Sequence, residues 1–460
     1  MVRRVGNLKW LARIAATYCS FAPHAAFGQC EITKLVAPAG NQDQGFGVSV
    51  SMSGNMIALG AHGTPGGGAV FIYETGFWDP IVVQPENPGS FGRSVSLSLD
   101  RLLVGAPYTD AFGEAAGLAC VYFHSDAGWQ KAGSLTPAGI NPEDRFGWTV
   151  DLDGDFAIVG TPYAQAAWVF RFDGQQWLEE DRLYAPAYDF GECVAIEGTV
   201  AVVGAPDDNT QGMWAGAAFV FERQPDATWL QTAKLLPLPG QFQSFGDAVA
   251  IDGGVIVVGA PGQGAGVTHV FEKDEAGVWQ RVAAFSDPNV PEGAAAEIGW
   301  SVAIGGVIIV PGARPDYEKP KTVTRRPYVY TRNAAGAWSM AGLLLAEDGT
   351  AWDWFGNAVA VSGNLAVIGA PRDEPFGPWS GSAYVFAVGP DDDGDGVMDA
   401  CVCTGDVDGD WRVDQADLGI LLAEYNIIPR APLRADLNGD GAVNQQDLGI
   451  LLAHFGAVCP

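Results

Sequence analysis

Hydrophobic and polar positions alternate in short runs along most of this chain, and one phrase returns seven times. It is a Phe-Gly pair, a hydrophobic run closing on Gly-Ala-Pro or a near variant, then a small residue before Val-Phe. The pairs are Phe46-Gly47, Phe91-Gly92, Phe146-Gly147, Phe190-Gly191, Phe245-Gly246, the degenerate Ile298-Gly299, and Phe355-Gly356. Runs such as Val200-Ala201-Val202-Val203 before Gly204-Ala205-Pro206 are β-branched and end on turn formers, the signature of a buried strand. A third strand follows at each Val-aromatic dyad, and a fourth opens with Trp78, Trp129, Trp177, Trp229, Trp279 and Trp338. A unit this short cannot bury its own faces, so the copies must stack on one another.

Only six Trp-led fourth strands exist for seven units. Lys34-Leu35-Val36-Ala37-Pro38-Ala39-Gly40 leads into Phe46-Gly47 much as Ser134-Leu135-Thr136-Pro137-Ala138-Gly139 leads into Phe146-Gly147. The N-terminal segment is therefore expected to supply the missing strand to the last unit and close the array into a ring without exposed edges.

These residues resemble the FG-GAP repeats of integrin α-subunit propellers and related extracellular bacterial proteins, over roughly residues 31 to 388. The resemblance implies an all-β, seven-bladed β-propeller. In integrin-like blades the hairpin between the first two strands can carry an Asp-rich calcium loop. Here that connection is short, and even Asp151-Leu152-Asp153-Gly154-Asp155 reads as a tight polar turn.

The last seventy residues break the pattern. From Asp391 onward 14 acidic residues face 3 basic ones, a density that requires solvation or a cation. Asp406, Asp408, Asp410 and Asp417 stand at positions 1, 3, 5 and 12 of a twelve-residue loop, and Asp436, Asn438, Asp440 and Asp447 repeat that spacing. Alternate side-chain oxygens with a backbone carbonyl at position 7, here Arg412 and Ala442, are how a turning chain surrounds calcium. Each loop enters the same Asp-Leu-Gly-Ile-Leu-Leu-Ala, a short apolar-faced helix, and Val413 and Val443 are the apolar residues that pair the loops. This duplicated loop-helix resembles a type I dockerin. The resemblance implies a small α-helical, EF-hand-like domain that binds Ca2+ and docks onto a cohesin-like or other surface protein. Trp411 replaces the usual Gly at position 6 of the first loop. Gln415-Ala416 and Gln445-Gln446 occupy the positions that face a cohesin. Between the two domains Asp391, Asp393, Asp395 and Asp399 resemble the ligands of one thrombospondin type 3 calcium repeat, an acidic linker being the other reading.

Composition narrows the partners. With 25 Lys and Arg against 54 Asp and Glu the net charge is -29, which excludes nucleic acid and anionic membrane surfaces as partners. No run approaches the roughly 18 apolar residues of a spanning helix. Met1-Val2-Arg3-Arg4, Lys9 and the apolar stretch from Ile14 to Ala22, with cleavage near Ala26-Phe27-Gly28, have the order of a secretory signal. The organisation expected is a signal peptide over 1–28, the propeller over 29–389, an acidic calcium-type linker over 390–403 and the dockerin-like domain over 404–460. The protein would be secreted or held at the cell surface.

The five histidines are scattered, and no nucleophile elbow or metal-spaced pair accompanies them, so no catalytic residue is nominated. On the face formed by the loops after Gly-Ala-Pro and before Phe-Gly, the sequence gathers aromatics with acids. The candidates are Tyr108, Tyr163, Trp214, Tyr317, Trp352, Trp354, Phe376 and Trp379. Flat rings beside hydrogen-bonding carboxylates suit an extracellular glycan or protein. The reading is a non-catalytic binding or adhesion protein. The alternative is a polysaccharide-active hydrolase or lyase with its active site on the same face.

Overall fold

The computed structural model describes residues 31–38, 44–286, 297–313, 327–350 and 352–389 of the repeat region. Beyond it, residues 405, 407, 413–425, 435, 437 and 442–455 are described. The repeat region forms seven four-stranded antiparallel sheets. The first strands of neighbouring sheets contact one another all the way round, so each first strand is innermost and each fourth outermost. This is a seven-bladed β-propeller; blades 1 to 6 begin at Ser49, Ser94, Thr149, Val194, Val249 and Ile298, and blade 7 at Ala358.

Blade 7 is completed as the repeat pattern predicts. Glu31–Leu35 pairs antiparallel with Ser382–Ala387, Lys34 lying opposite Tyr384 and Leu35 opposite Ala383. Lys34 Nζ reaches Asp348 and Asp373, both at 2.6 Å, so the closure is apolar at Leu35 and ionic beside it. Burial would lower the Lys34 pKa, but those carboxylates outweigh it and hold the amine above the ordinary lysine range.

The repeated phrase has a physical meaning at each word. Second strands such as Val200–Ala205 are buried nearly throughout because another blade covers each face, hence their unbroken β-branched runs. In blades 2 to 7 the Val-aromatic dyad of the third strand marks a β-bulge, whereas in blade 1 the pairing slips between Ile72 and Glu74, beyond its dyad. Pairing with the fourth strand slips between Val121 and Tyr122, Val169 and Phe170, Val220 and Phe221, Val270 and Phe271, and Val329 and Tyr330. The Glu31/Thr33 shift in the closing strand falls at the same place in blade 7. The extra residue lies on the outermost strand and adds twist where the blade must splay.

Phe and Gly are the seam between blades. Phe91 bridges Gly68 of the preceding blade, and Phe146 bridges Gly117 likewise. The glycine of Gly-Ala-Pro then lies against the next blade's Phe-Gly carbonyl, so a Cβ on Gly105 would stand 2.1 Å from the Gly147 oxygen. Neither backbone can retreat without opening the ring. Gly105→Ala is therefore expected to cost about 3 kcal/mol or more, at the upper end of overpacking penalties. Gly154→Ala, at φ +53 with nothing within 4 Å, should cost only the left-handed backbone term of about 1–2 kcal/mol. Denaturant melts of the two variants check this, and equal destabilisation would refute the seam.

Inner strands are too splayed to share a backbone ladder, and polar side chains span the gap instead. Ser51 and Ser53 accept the Leu97 and Leu99 N–H groups, both at 2.9 Å. Ser94, Ser96 and Ser98 accept from Val150, Leu152 and Gly154. Asp151 accepts from Ile196 and Ser96, and Asp153 from Gly198. The Asp151–Asp155 turn is thus a hairpin between paired strands, as expected, and burial raises the Asp151 pKa while those bonds oppose it. The carboxylates around the channel mouth of about 680 Å³ on this face, among them Asp153, Glu197 and Asp252, serve this ladder. Cys120 and Cys193 are free thiols, and burial pushes Cys193 up to about 12. The segments expected to be a signal peptide (1–28) and an acidic linker (390–403) lie outside the described residues.

Candidate functional site

At the opposite face each blade begins with the same turn. The residue before Phe-Gly has a left-handed backbone, φ running from +50 at Ser244 to +60 at Ser90 and Trp354, with Arg145 at +57 and Asp189 at +54. Its carbonyl accepts the N–H of the residue after Phe-Gly: Arg93 to Ser90, Trp148 to Arg145, Glu192 to Asp189, Asp247 to Ser244, Trp300 to Glu297 and Asn357 to Trp354, at 2.9–3.2 Å. Phe and Gly anchor the turn between blades, and the flanking residues are displayed at the start of the innermost strand. Left-handed backbone costs a non-glycine residue about 1–2 kcal/mol, held here by the packed Phe.

Two groups of aromatic and charged side chains stand on this frame. Between blades 6 and 7 a groove of about 520 Å³ is lined by Lys34, Asp348, Trp352, Asp353, Asp373 and Trp379. The Arg372 guanidinium lies 3.6 Å from the Trp354 ring centroid and 4.9 Å from that of Trp379. Trp352 and Trp379 are 48% and 50% exposed, so their rings remain available. Burial works to raise Asp348, but the Lys34 and Tyr384 hydrogen bonds hold it below the usual carboxylate range. Asp353, 6% exposed, is pushed up by burial against the Thr350 bonds.

The second group spans blades 2 to 4. Tyr108 and Tyr163 flank Arg145, with ring centroids 5.0 and 3.9 Å from its guanidinium carbon. Trp148 lies edge-on to both tyrosines and donates Nε1–H to Glu192 at 2.9 Å. Arg93 stacks over Trp148 at 4.6 Å. Burial raises the Glu192 pKa and, together with the Arg93 charge, lowers that of His62.

Of the aromatics nominated from sequence, Tyr108 and Tyr163 therefore share one cluster, and Trp352, Trp354 and Trp379 another. Trp214 packs edge-on against Phe242, Phe376 is exposed on the loop that carries Trp379 but does not line the groove, and Tyr317 lies outside the described residues. Arg93, Arg145, Trp148, Glu192, Lys34 and Arg372 were missed. Their signal was positional, since Arg93, Arg145, Trp148 and Glu192 all flank a Phe-Gly pair.

In the C-terminal domain two helices, α1 (Gln415–Glu424) and α2 (Gln445–His454), pack on one apolar core with Val413, Val443, Leu421 and Leu451. Both open with a capping box, Asp414 with Asp417 and Asn444 with Asp447. Asp417 is fully buried; its Oδ1 accepts Val407 N–H at 2.7 Å and its Oδ2 accepts Asp414 N–H at 2.8 Å. Asp447 repeats this with Leu437 and Asn444, both at 2.8 Å. Buried anions oriented identically in two copies fit the last carboxylate of a calcium loop, because burying such charge without a cation is costly. The Ala442 carbonyl accepts from Asn444 Nδ2 at 3.2 Å. Asp406, Asp408, Asp410, Arg412, Asp436, Asn438, Asp440 and the linker acids Asp391, Asp393, Asp395 and Asp399 lie outside the described residues. Among the described residues no helix is long and apolar enough to cross a membrane.

Comparison with known proteins agrees with both domains. Residues 30–73, 129–170, 177–221, 229–271 and 338–386 match the model described as FG-GAP repeat, and 404–455 that described as Dockerin type I domain. Each of the five repeat segments runs from the fourth strand of one blade to the third strand of the next, the one-strand offset that ring closure requires. Three solved structures share the fold. One is titled "Crystal Structure of Mitotic Checkpoint Complex" (13% identity, 79% of this chain and 96% of that one, TM-score 0.53). The others are "Structure of U3-55K" (12%, 78% and 99%, 0.52) and "Crystal structure of RRP9 WD40 repeats" (11%, 78% and 98%, 0.51). Identities this low speak for the propeller alone. No curated protein matches the chain. Type I dockerin domains bind calcium and dock onto cohesins, and proteins carrying them are typically extracellular or at the cell surface. The chain is thus a seven-bladed propeller of FG-GAP repeats joined to a type I dockerin domain.

Proposed function

We propose that this is a secreted, non-catalytic binding protein whose propeller holds an extracellular glycan while its dockerin, loaded with calcium, fastens it to a cohesin-bearing scaffold or surface. The observation that carries the glycan half is the groove between blades 6 and 7, where the exposed rings of Trp352 and Trp379 flank the carboxylates of Asp348 and Asp373. Ring faces stack on sugar C–H surfaces while the acids accept hydroxyls. For the attachment half, Gln415-Ala416 and Leu422, with their counterparts Gln445-Gln446 and Leu452, are exposed on the two helices. They form the surface offered to a partner. The calcium ligands assigned are Asp406, Asp408, Asp410, the Arg412 carbonyl and Asp417, and Asp436, Asn438, Asp440, the Ala442 carbonyl and Asp447. A further ion at Asp391, Asp393, Asp395 and Asp399, and the domain bounds 29–389 and 404–460, belong to the same proposal.

One observation favours a second reading. Asp353 is a buried carboxyl with a raised pKa in that groove, a property of general acids in polysaccharide hydrolases and lyases. A glycan array probed with the full chain, followed by product analysis on each hit, separates the two. Binding without turnover, weakened about tenfold or more in Trp352→Ala and Trp379→Ala, supports the first reading. Cleavage lost in Asp353→Asn supports the second, and no hit that responds to these substitutions sinks both.

A further inference from the structure

The cluster on blades 2 to 4 contains two arginines whose guanidinium N–H groups no carboxylate reaches among the described residues. Arg101, Arg223, Lys234 and Arg332 each hold a carboxylate at 2.7–3.0 Å, as expected in a chain of net charge -29. Neither the Arg93 nor the Arg145 guanidinium forms an ion pair or hydrogen bond among the described residues, and both are half-buried. Nε of Arg145 is buried and without a hydrogen-bond partner. The nearby acids make their hydrogen bonds elsewhere, Glu192 with the Trp148 indole, Asp110 with Ala115 N–H and Asp144 with Asn141; the Glu192 charge acts on Arg93 from beyond hydrogen-bond range, and the N–H donors of both arginines stay open. Ring faces hold a guanidinium in orientation without using its in-plane N–H donors. The aromatics thus fix both arginines around Trp148 and leave forks suited to a bidentate carboxylate.

We propose that Arg93 and Arg145, set around Trp148 between Tyr108 and Tyr163, form a carboxylate subsite for a glycan that carries uronic acid units. The two tyrosine rings, 41% and 56% exposed, stack on the sugar while the arginine forks take its carboxylate. This rests on the glycan reading above but uses a different site and adds the charge class of the ligand.

Calorimetric titration of the full chain with a pectic and an alginate oligouronide, each beside its methyl-esterified form, tests it. The free acid of at least one should bind, with affinity falling as salt rises, and its ester should not. Arg145→Gln should weaken that binding about tenfold or more at an unchanged melting temperature. Arg145→Lys, which keeps charge but loses the fork, should lie between, and stands in for Arg145→Gln if the latter does not fold. Oligouronide binding indifferent to esterification or to both substitutions overturns the subsite, as does equal binding of a poly-glutamate peptide. If neutral glycans bind and uronides do not, the subsite fails while the blade 6–7 groove stands. If no glycan of any kind binds, the glycan reading itself falls.

Discussion

A chain lacking residues 31–37 is expected to melt about 10 °C or more below the intact protein and to aggregate on heating. The segment contributes the outermost strand of blade 7 and buries Leu35 and Ala37 at 3% and 2% exposure. Losing a buried leucine alone costs about 2–5 kcal/mol, and the ladder to Ser382–Ala387 goes with it, for a total of about 5 kcal/mol or more. In large domains each kcal/mol moves the midpoint by about 2 °C. The damage is more than local, because Ser382–Ala387 is buried along its whole length and would become a hydrophobic edge open to a second chain. Lys34→Met separates the terms. It removes both ion pairs but keeps the strand, and partly exposed pairs of this kind are worth about 1 kcal/mol or less. Scanning calorimetry and light scattering on the three proteins measure this, and a truncated chain melting with the intact one would disprove closure by the N-terminal strand.

The blades were legible because each word of the phrase answers a constraint that recurs in every copy. Gly105 and its equivalents have no space for a Cβ, Phe91 and its equivalents fill the wedge between blades, and in every blade but the first the Val-aromatic dyad sits at the bulge. The missing fourth strand could be found by counting for the same reason. Display positions obey the opposite logic. Ser90, Arg145, Asp189, Ser244, Glu297 and Trp354 share one backbone conformation, yet their side chains point where no packing rule selects them, so no repeat signal marks them. Neighbourhood was also invisible: Arg93 and Trp148 are 55 residues apart in the chain but stack because their blades adjoin. Lys34 and Asp348, 314 residues apart in the chain, meet because the ring closes. The inner-strand Ser and Asp ladder was readable as alternation, but its partners lie one blade away, and only closure of the ring supplies them.

Removing calcium from the full chain is expected to abolish the thermal transition of the C-terminal domain and leave that of the propeller unmoved. Asp417 and Asp447 are wholly buried carboxylates that each also cap a helix. Each carboxylate accepts two backbone N–H groups beside a core of only a few apolar side chains, and burying a full charge on hydrogen bonds to neutral donors costs more than burying it on a cation. Calcium at a hundredfold excess over its dissociation constant returns about 2.7 kcal/mol per site through linkage, a large share of what so small a domain can possess. The propeller is expected to show no comparable dependence, because acids such as Asp151 and Asp153 accept backbone N–H groups of the next blade. The two loops should also differ. At position 6, where a calcium loop ordinarily has Gly, the first loop has Trp411 and the second Gly441, so Asp447→Asn should abolish the tighter of two calcium-binding steps and Asp417→Asn the weaker. Calorimetry with and without chelator, together with calcium titration of both variants, reads all three expectations. A chelated chain that keeps two transitions and its full helical circular dichroism would show that these carboxylates are buried for some reason other than a metal.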